Sequence, residues 1–154
     1  MTIDLNYNIG YNLITYDIFI EFINKVDKDF IPPLLNRIDS KKYYEKLDKN
    51  AILSICKCDK TIVGLVAGYC NNIIDKKAYI TLVATDKEYR NHGIARLLIM
   101  EFIKYSRSVG MKTINIDTNN EIAYNLYLSI GFKLMSKENC FQNNIIRYYL
   151  EINL

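Results

Sequence analysis

Chemistry in this chain is concentrated where a polar run meets a helix. Asp86-Lys87-Glu88-Tyr89-Arg90-Asn91-His92-Gly93 leads straight into Ile94, Leu97, Leu98, Glu101, Phe102 and Tyr105, which recur at helical spacing. The first turn of a helix leaves several backbone N–H groups unpaired at the positive end of the peptide dipoles. That is an anion site built from backbone, suited to a phosphate. Gly93 permits close approach or a positive φ, Ala95 keeps the first turn slim, and Arg90 adds a fixed positive charge. A second group lies downstream: the amide of Asn120 and the phenol of Tyr127, on the next helical stretch.

The spacing Arg90-Asn91-His92-Gly93-Ile94-Ala95 reads R-x-x-G-x-A. It is neither the dinucleotide fingerprint G-x-G-x-x-G nor a P-loop, since no Gly-Lys-Ser/Thr follows. It resembles the pyrophosphate signature Q/R-x-x-G-x-G/A of the GNAT superfamily of acyl-CoA-dependent N-acetyltransferases. Residues Asn120 to Phe132 fit N-x-x-A-x-x-L-Y-x-x-x-G-F at every fixed position, which also resembles that superfamily. The two motifs stand in the right order with one strand between them. The resemblance covers residues 51 to 136 well and the N-terminal helices only in general layout.

The resemblance implies roles. Acetyl-CoA would be the co-substrate, with its pyrophosphate on the backbone amides of Arg90, Asn91, His92, Gly93, Ile94 and Ala95. Val83 and Thr85, on a preceding strand that splays from its neighbour, would pair with the pantetheine arm. Asn120 would contact the cofactor across the gap. Tyr127 would protonate the leaving thiolate. A phenol, with an unperturbed pKa of about 10 against about 8.5 for a thiol, still holds its proton at neutral pH. Acetyl transfer to an amine needs the donor held, the carbonyl polarised, the amine deprotonated and the thiolate protonated.

The third requirement has no obvious residue. Many protein-acetylating relatives carry a glutamate where Asn115 stands here, and an amide cannot take a proton. Asp117 shares its face by strand alternation and is one substitute. Water relayed by Tyr79 or Thr81, or an amine arriving neutral, are the others. Each candidate has a plainer reading: Tyr127 as a core aromatic, Asn120 as a helix cap, His92 as an exposed loop residue beside the phosphates, and Asp117 as a solvated strand end.

The elements that must position these groups follow from periodicity. A first strand falls within residues 4–15. Ile18, Phe19, Phe22, Ile23 and Val26 mark a helix over Tyr16–Asp27, and Pro32-Pro33 interrupts regular structure. Asp39 or Ser40 caps a helix over Lys41–Lys49. Ala51–Lys57 and Thr61–Cys70 form a hairpin, and a polar turn returns into a strand at Ala78. Beyond the motif helix, which Gly110 stops, come a strand at Lys112–Asp117, a helix closed by Gly131, and strands at Phe132–Ser136 and Ile145–Ile152. The expected fold is α/β: a GNAT-like mixed, mostly antiparallel sheet of about seven strands with about four flanking helices, in one domain over residues 1–154.

A chain of 154 residues with a net charge of +3 can bury one core and does not argue for nucleic acid. No apolar run reaches a membrane span of roughly 20 residues, and the first residues lack a basic-then-apolar leader, so a cytoplasmic protein is expected. Cys56, Cys58, Cys70 and Cys140 form no CxxC pair and there is a single histidine, so free thiols and no metal site are expected.

The resemblance implies a primary amine as acceptor, selected by the segments Asp29–Arg37, Tyr43-Tyr44 and the late hairpin at residues 139–147. Phe30-Ile31-Pro32-Pro33-Leu34 and the later Tyr-x-x-Lys-Leu of Tyr43–Leu47 resemble a subgroup associated with bacterial surface-sugar clusters. This suggests an amino sugar, its apolar face on aromatic side chains, with Arg37 or Asp29 orienting hydroxyls or phosphate. A macromolecular acceptor (protein N-terminus, lysine or charged tRNA) and a non-catalytic acyl-CoA sensor are the competing readings. Monomer and homodimer both stay open.

Overall fold

The computed structural model describes residues 4–140 and 145–154. Residues 141–144 of the late hairpin and the side chain of Cys140 lie outside the described residues. The elements are β1 (Leu5–Gly10), α1 (Tyr16–Val26), α2 (Ser40–Asn50), β2 (Ile52–Cys58), β3 (Thr61–Asn72), β4 (Lys77–Thr85), α3 (Ile94–Ser108), β5 (Thr113–Thr118), α4 (Glu121–Ile130), β6 (Lys133–Cys140) and β7 (Ile145–Asn153). The seven strands form one sheet in the order β1-β2-β3-β4-β5-β7-β6. All neighbours are antiparallel except β4 and β5.

The helices cover the sheet on both faces. α1 starts where the Thr15 hydroxyl accepts from the Ile18 N–H, and buries Phe19, Phe22, Ile23 and Val26 along one stripe. Asp39 caps α2 through the N–H groups of Lys41 and Lys42, and Leu47 is its buried residue. These two helices share one apolar layer with Leu53, Ile55, Leu65, Leu82 and Ala84. α3 and α4 share the other with Ile52, Val63, Val66, Ile80, Ile114 and Ile116. Strands β2 and β3, covered on both faces, therefore read as nearly continuous apolar runs.

Two strands run longer than their apolar pattern predicts. β3 continues through the polar pair Asn71-Asn72 because Asn72 still pairs with Lys77, and its side chain closes the turn by accepting from the Asp75 N–H. β6 continues past Ser136 because Lys137, Glu138 and Asn139 pair with Tyr148, Arg147 and Ile146. An edge strand is commonly polar, and that polarity obscures it in sequence.

The irregularity that shapes the site is in β4. Ala67 pairs with Leu82 but Gly68 pairs with Ile80, so Thr81 is an extra residue in the ladder. Side chains change face across it. Ala78 and Ile80 face α3 and α4, whereas Leu82 and Ala84 face α1 and α2. On its other edge β4 pairs with β5 only over Lys77–Ile80 against Thr113–Ile116. From Asp117 onward β5 pairs with β7 alone. The two parallel strands part there, and among the described residues Thr81–Thr85 have no strand on that side.

Candidate functional site

A cavity of about 690 Å³ opens where β4 and β5 part. Its walls come from β4, the start of α3, the start of α4, and the segment between α1 and α2. Val83, Thr85, Arg90, Asn91, Gly93, Ile94, Ala95, Asn120 and Tyr127 all line it. His92 is not among the lining residues. Its Nδ1 lies 2.9 Å from the Arg90 carbonyl oxygen, turned back on its own loop.

α3 begins in an unusual way. Gly93 occupies the N-cap with φ of 74°, and no side chain caps the helix. Asn91 also has positive φ, 67°. A Cβ on Gly93 would touch nothing within 4 Å, so the glycine is required by backbone conformation and not by crowding. Crowding acts one strand away: a Cβ on Gly64 would sit 2.6 Å from Ile94 Cγ2, so its absence lets the helix start lie close on the sheet. No acidic residue stands in the first turn, while Arg96 does, against the dipole. The first-turn N–H groups of α3 are thus left without a side-chain acceptor, an arrangement able to take an anion.

The charges are distributed differently from the sequence expectation. Arg90 is not a free cation: its guanidinium is paired with Asp29, and its Nε donates to the Thr85 carbonyl at 3.3 Å. It ties the loop to the segment after α1 and is largely neutralised there. Asp29, expected to orient an acceptor, is taken by the same pair. Arg96, which sequence reading passed over, lines the cavity and donates to the Ser129 hydroxyl at 2.6 Å. Its partner is neutral, and among the described residues it has no ionic partner. A basic residue in a helix's first turn was the signal available for it.

Asn120 is a helix cap, its Oδ1 accepting from the Ala123 N–H at 3.0 Å, and it lines the cavity as well. Its Nδ2 is left over to donate. Tyr127 is 3% exposed, and among the described residues its hydroxyl has no hydrogen-bond partner. Burial, and then the negative charge of Asp117, push its pKa above the usual phenol value. It therefore stays protonated through the neutral range. Its ring packs beside Phe132, with centroids 6.0 Å apart. The core reading and the cavity reading both describe it.

Tyr79, Asp117 and Arg147 also line the cavity: Tyr79 donates its hydroxyl proton to Asp117 Oδ1 at 2.5 Å, and Arg147 holds Asp117 Oδ2 at 2.5 Å. Both carboxylate oxygens are thus engaged. Burial, followed by the hydrogen bond to Asp117, raises the pKa of Tyr79. Arg147 lies 30 residues from Asp117 and was not singled out from sequence. Asn115 does not line this cavity; its Nδ2 donates to Glu151 at 3.0 Å across the β5–β7 pair. Phe30, Ile31, Leu34, Arg37 and Tyr43 complete this end, and Asn119 Nδ2 closes it by donating to the Ile31 carbonyl at 2.6 Å. Tyr44 stays outside, its hydroxyl donating to the Ile14 carbonyl at 2.8 Å. No group of acids, cysteines and histidine able to hold a metal is present among the described residues, and no helix there is long and apolar enough to cross a membrane.

Comparison with known proteins returns one family. The sequence model of the acetyltransferase (GNAT) family matches residues 20–132. Over 98 residues the chain is 26% identical to Probable N-acetyltransferase camello of Xenopus tropicalis, covering 62% of this chain and 44% of that protein. A Bacillus anthracis protein solved in complex with acetyl coenzyme A has a TM-score of 0.61 and 23% identity, over 68% of this chain and 63% of its own. The ribosomal-protein-S18-alanine N-acetyltransferase of Escherichia coli has a TM-score of 0.75 and 15% identity, over 96% of this chain and 94% of its own. The chain thus spans less than half the length of the Xenopus relative and under two thirds of the Bacillus one. At these identities the solved structures establish a shared fold.

Proposed function

This chain belongs to the GNAT acetyltransferase family, and on that premise we propose that it moves an acetyl group from acetyl-CoA directly to a primary amine bound beside it. The observation that carries the reading is one cavity with an uncapped helix start at one end and a buried, partnerless phenol facing it. The first is a seat for the pyrophosphate, built by the backbone of residues 91–95 with Arg96 beside it. The open edge of β4 at Val83 and Thr85 offers backbone groups to the pantetheine amides, and Asn120 offers its Nδ2 from the far side. Tyr127 holds the proton that the departing thiolate needs. In this reading Arg90 orders the loop and His92 makes no direct contact.

The acceptor end supports a polar amine of modest size. Tyr43 and Phe30 offer aromatic faces, and Arg37 lines the cavity without an ionic partner among the described residues. An amino sugar carrying an anionic group fits this set, the ring on an aromatic face and the anion on Arg37. Acetylation of a macromolecule is the second reading, since a relative of the same fold is a protein-alanine acetyltransferase.

Calorimetric titration with acetyl-CoA, followed by thiol release across amino sugars and their nucleotide forms, polyamines, aminoglycosides and peptides, tests this directly. Micromolar binding with turnover on amino sugars well above that on the other acceptors of this screen supports the full reading. Turnover confined to peptides replaces the acceptor. Absence of acetyl-CoA binding removes the reading altogether.

A further inference from the structure

The proposed reaction leaves one proton without a destination. The attacking nitrogen must lose it, and Asn115 is an amide turned toward Glu151. Glu151 does not line the cavity. Thr81 does, and its hydroxyl meets the Tyr43 phenol, which among the described residues is bonded to no carboxylate. Asp117 has both oxygens engaged and cannot meet the amine directly.

Tyr79 is differently placed. Its one proton is committed to Asp117, so what its oxygen has left for the cavity is a lone pair, an acceptor for an N–H. Tyr79, Asp117 and Tyr127 line the same cavity. A phenol alone is a poor base, because accepting a proton would leave it positive. A phenol that gives up a proton as it takes one stays neutral throughout. Resting on the acetyl-transfer reading above, we propose that Tyr79 takes the proton of the attacking amine while passing its own to Asp117.

The step balances. As the amine nitrogen bonds to the thioester carbon it becomes positive and its N–H acidic. That N–H bond breaks and an O–H bond forms on Tyr79. The original Tyr79 O–H breaks and its proton bonds to Asp117 Oδ1. The C–S bond breaks with its electron pair on sulfur, which takes the Tyr127 proton. The proton on Asp117 then returns through water to the Tyr127 phenolate, and the cycle closes. Arg147, bonded to Oδ2, holds the carboxylate in place and favours its release of that proton. Tyr79 is the residue that touches the reacting atoms, and Asp117 acts through it.

Ethylamine is the probe, since it carries only the reacting group. Wild type, Tyr79→Phe, Asp117→Asn and Asp117→Ala are compared by thiol release, with acetyl-CoA affinity measured calorimetrically on each. Tyr79→Phe and Asp117→Asn should lower kcat about 10²-fold, the scale of a positioned proton acceptor, with acetyl-CoA affinity held within about twofold. Sodium formate should restore about tenfold or more to Asp117→Ala and nothing to Tyr79→Phe, a rescue that a merely structural aspartate would not show. A kcat within about threefold of wild type in Tyr79→Phe, or losses that formate does not touch in Asp117→Ala, overturns the relay. So does a wild type that binds acetyl-CoA and leaves ethylamine unacetylated, because a relay needing only an N–H must serve any amine at the thioester. Failure of the wild type to bind acetyl-CoA is a separate result: it removes the reading of the cavity, and the relay with it.

Discussion

The two ends of the cavity are made of different material. On the proposed reading the working groups at the α3 end are backbone N–H groups, held by one glycine at positive φ and a helix start without a side-chain cap. At the acceptor end they are side chains, Tyr79, Asp117, Arg147 and Arg37, brought together from β4, β5, β7 and the segment before α2. A backbone site tolerates change in most of its side chains and fails when its conformation is disturbed. A side-chain site fails one atom at a time. The first suits a ligand part that is always the same; the second suits one that varies.

That contrast can be tested in order of expected effect. The largest loss should come from the proton donor between the two ends: Tyr127→Phe should lower kcat about 10²-fold with little change in acetyl-CoA affinity, read by thiol release and calorimetry. An unchanged kcat would return Tyr127 to the core. Next comes Gly93→Trp, which imposes a side chain on a φ of 74°. Acetyl-CoA affinity should fall about tenfold, the order of cost of a strained non-glycine residue. Retained affinity would mean that the helix start is not the seat. Arg96→Gln should weaken acetyl-CoA by a few-fold and flatten its salt dependence, because it removes an exposed charge with no ionic partner among the described residues. Smallest is Arg90→Ala. With the charge already paired to the exposed carboxylate of Asp29, acetyl-CoA affinity should change by no more than about two- to threefold. If Arg90→Ala outweighed Arg96→Gln, the charge assignment would be reversed.

The same contrast explains what could be read in the sequence. The fold was legible because most elements announce themselves by period and punctuation. Phe19, Phe22, Ile23 and Val26 mark α1, and Gly110 and Gly131 follow α3 and α4 at positive φ. The geometry of the α3 end was legible because its glycine and its helix start share a six-residue window. The acceptor end was not. Asp117 meets Tyr79 across 38 positions and Arg147 across 30, and no local pattern records either meeting. Arg90 was misjudged for the same reason, since the carboxylate that neutralises it lies 61 positions upstream. The bulge at Thr81 leaves no mark in the alternation, because Ile80, Leu82 and Ala84 continue the odd–even pattern of burial while the layer that buries them changes.

That extra residue lets one strand be read from two directions. Tyr79, before it, belongs to the α1–α2 side; Val83, beyond it, packs with the α3–α4 layer. The wall for the variable molecule and the wall for the constant one therefore share a strand without sharing a surface. Substitutions that retune the acceptor can accumulate on one side while the other stays as it was. Were Thr81 drawn into an even ladder and not bulged out, that independence would end, with Leu82 and Ala84 turned toward the helix start and Val83 away from it. On the acetyl-transfer reading, one irregular residue is what puts the acceptor wall and the donor wall on opposite faces of a single strand.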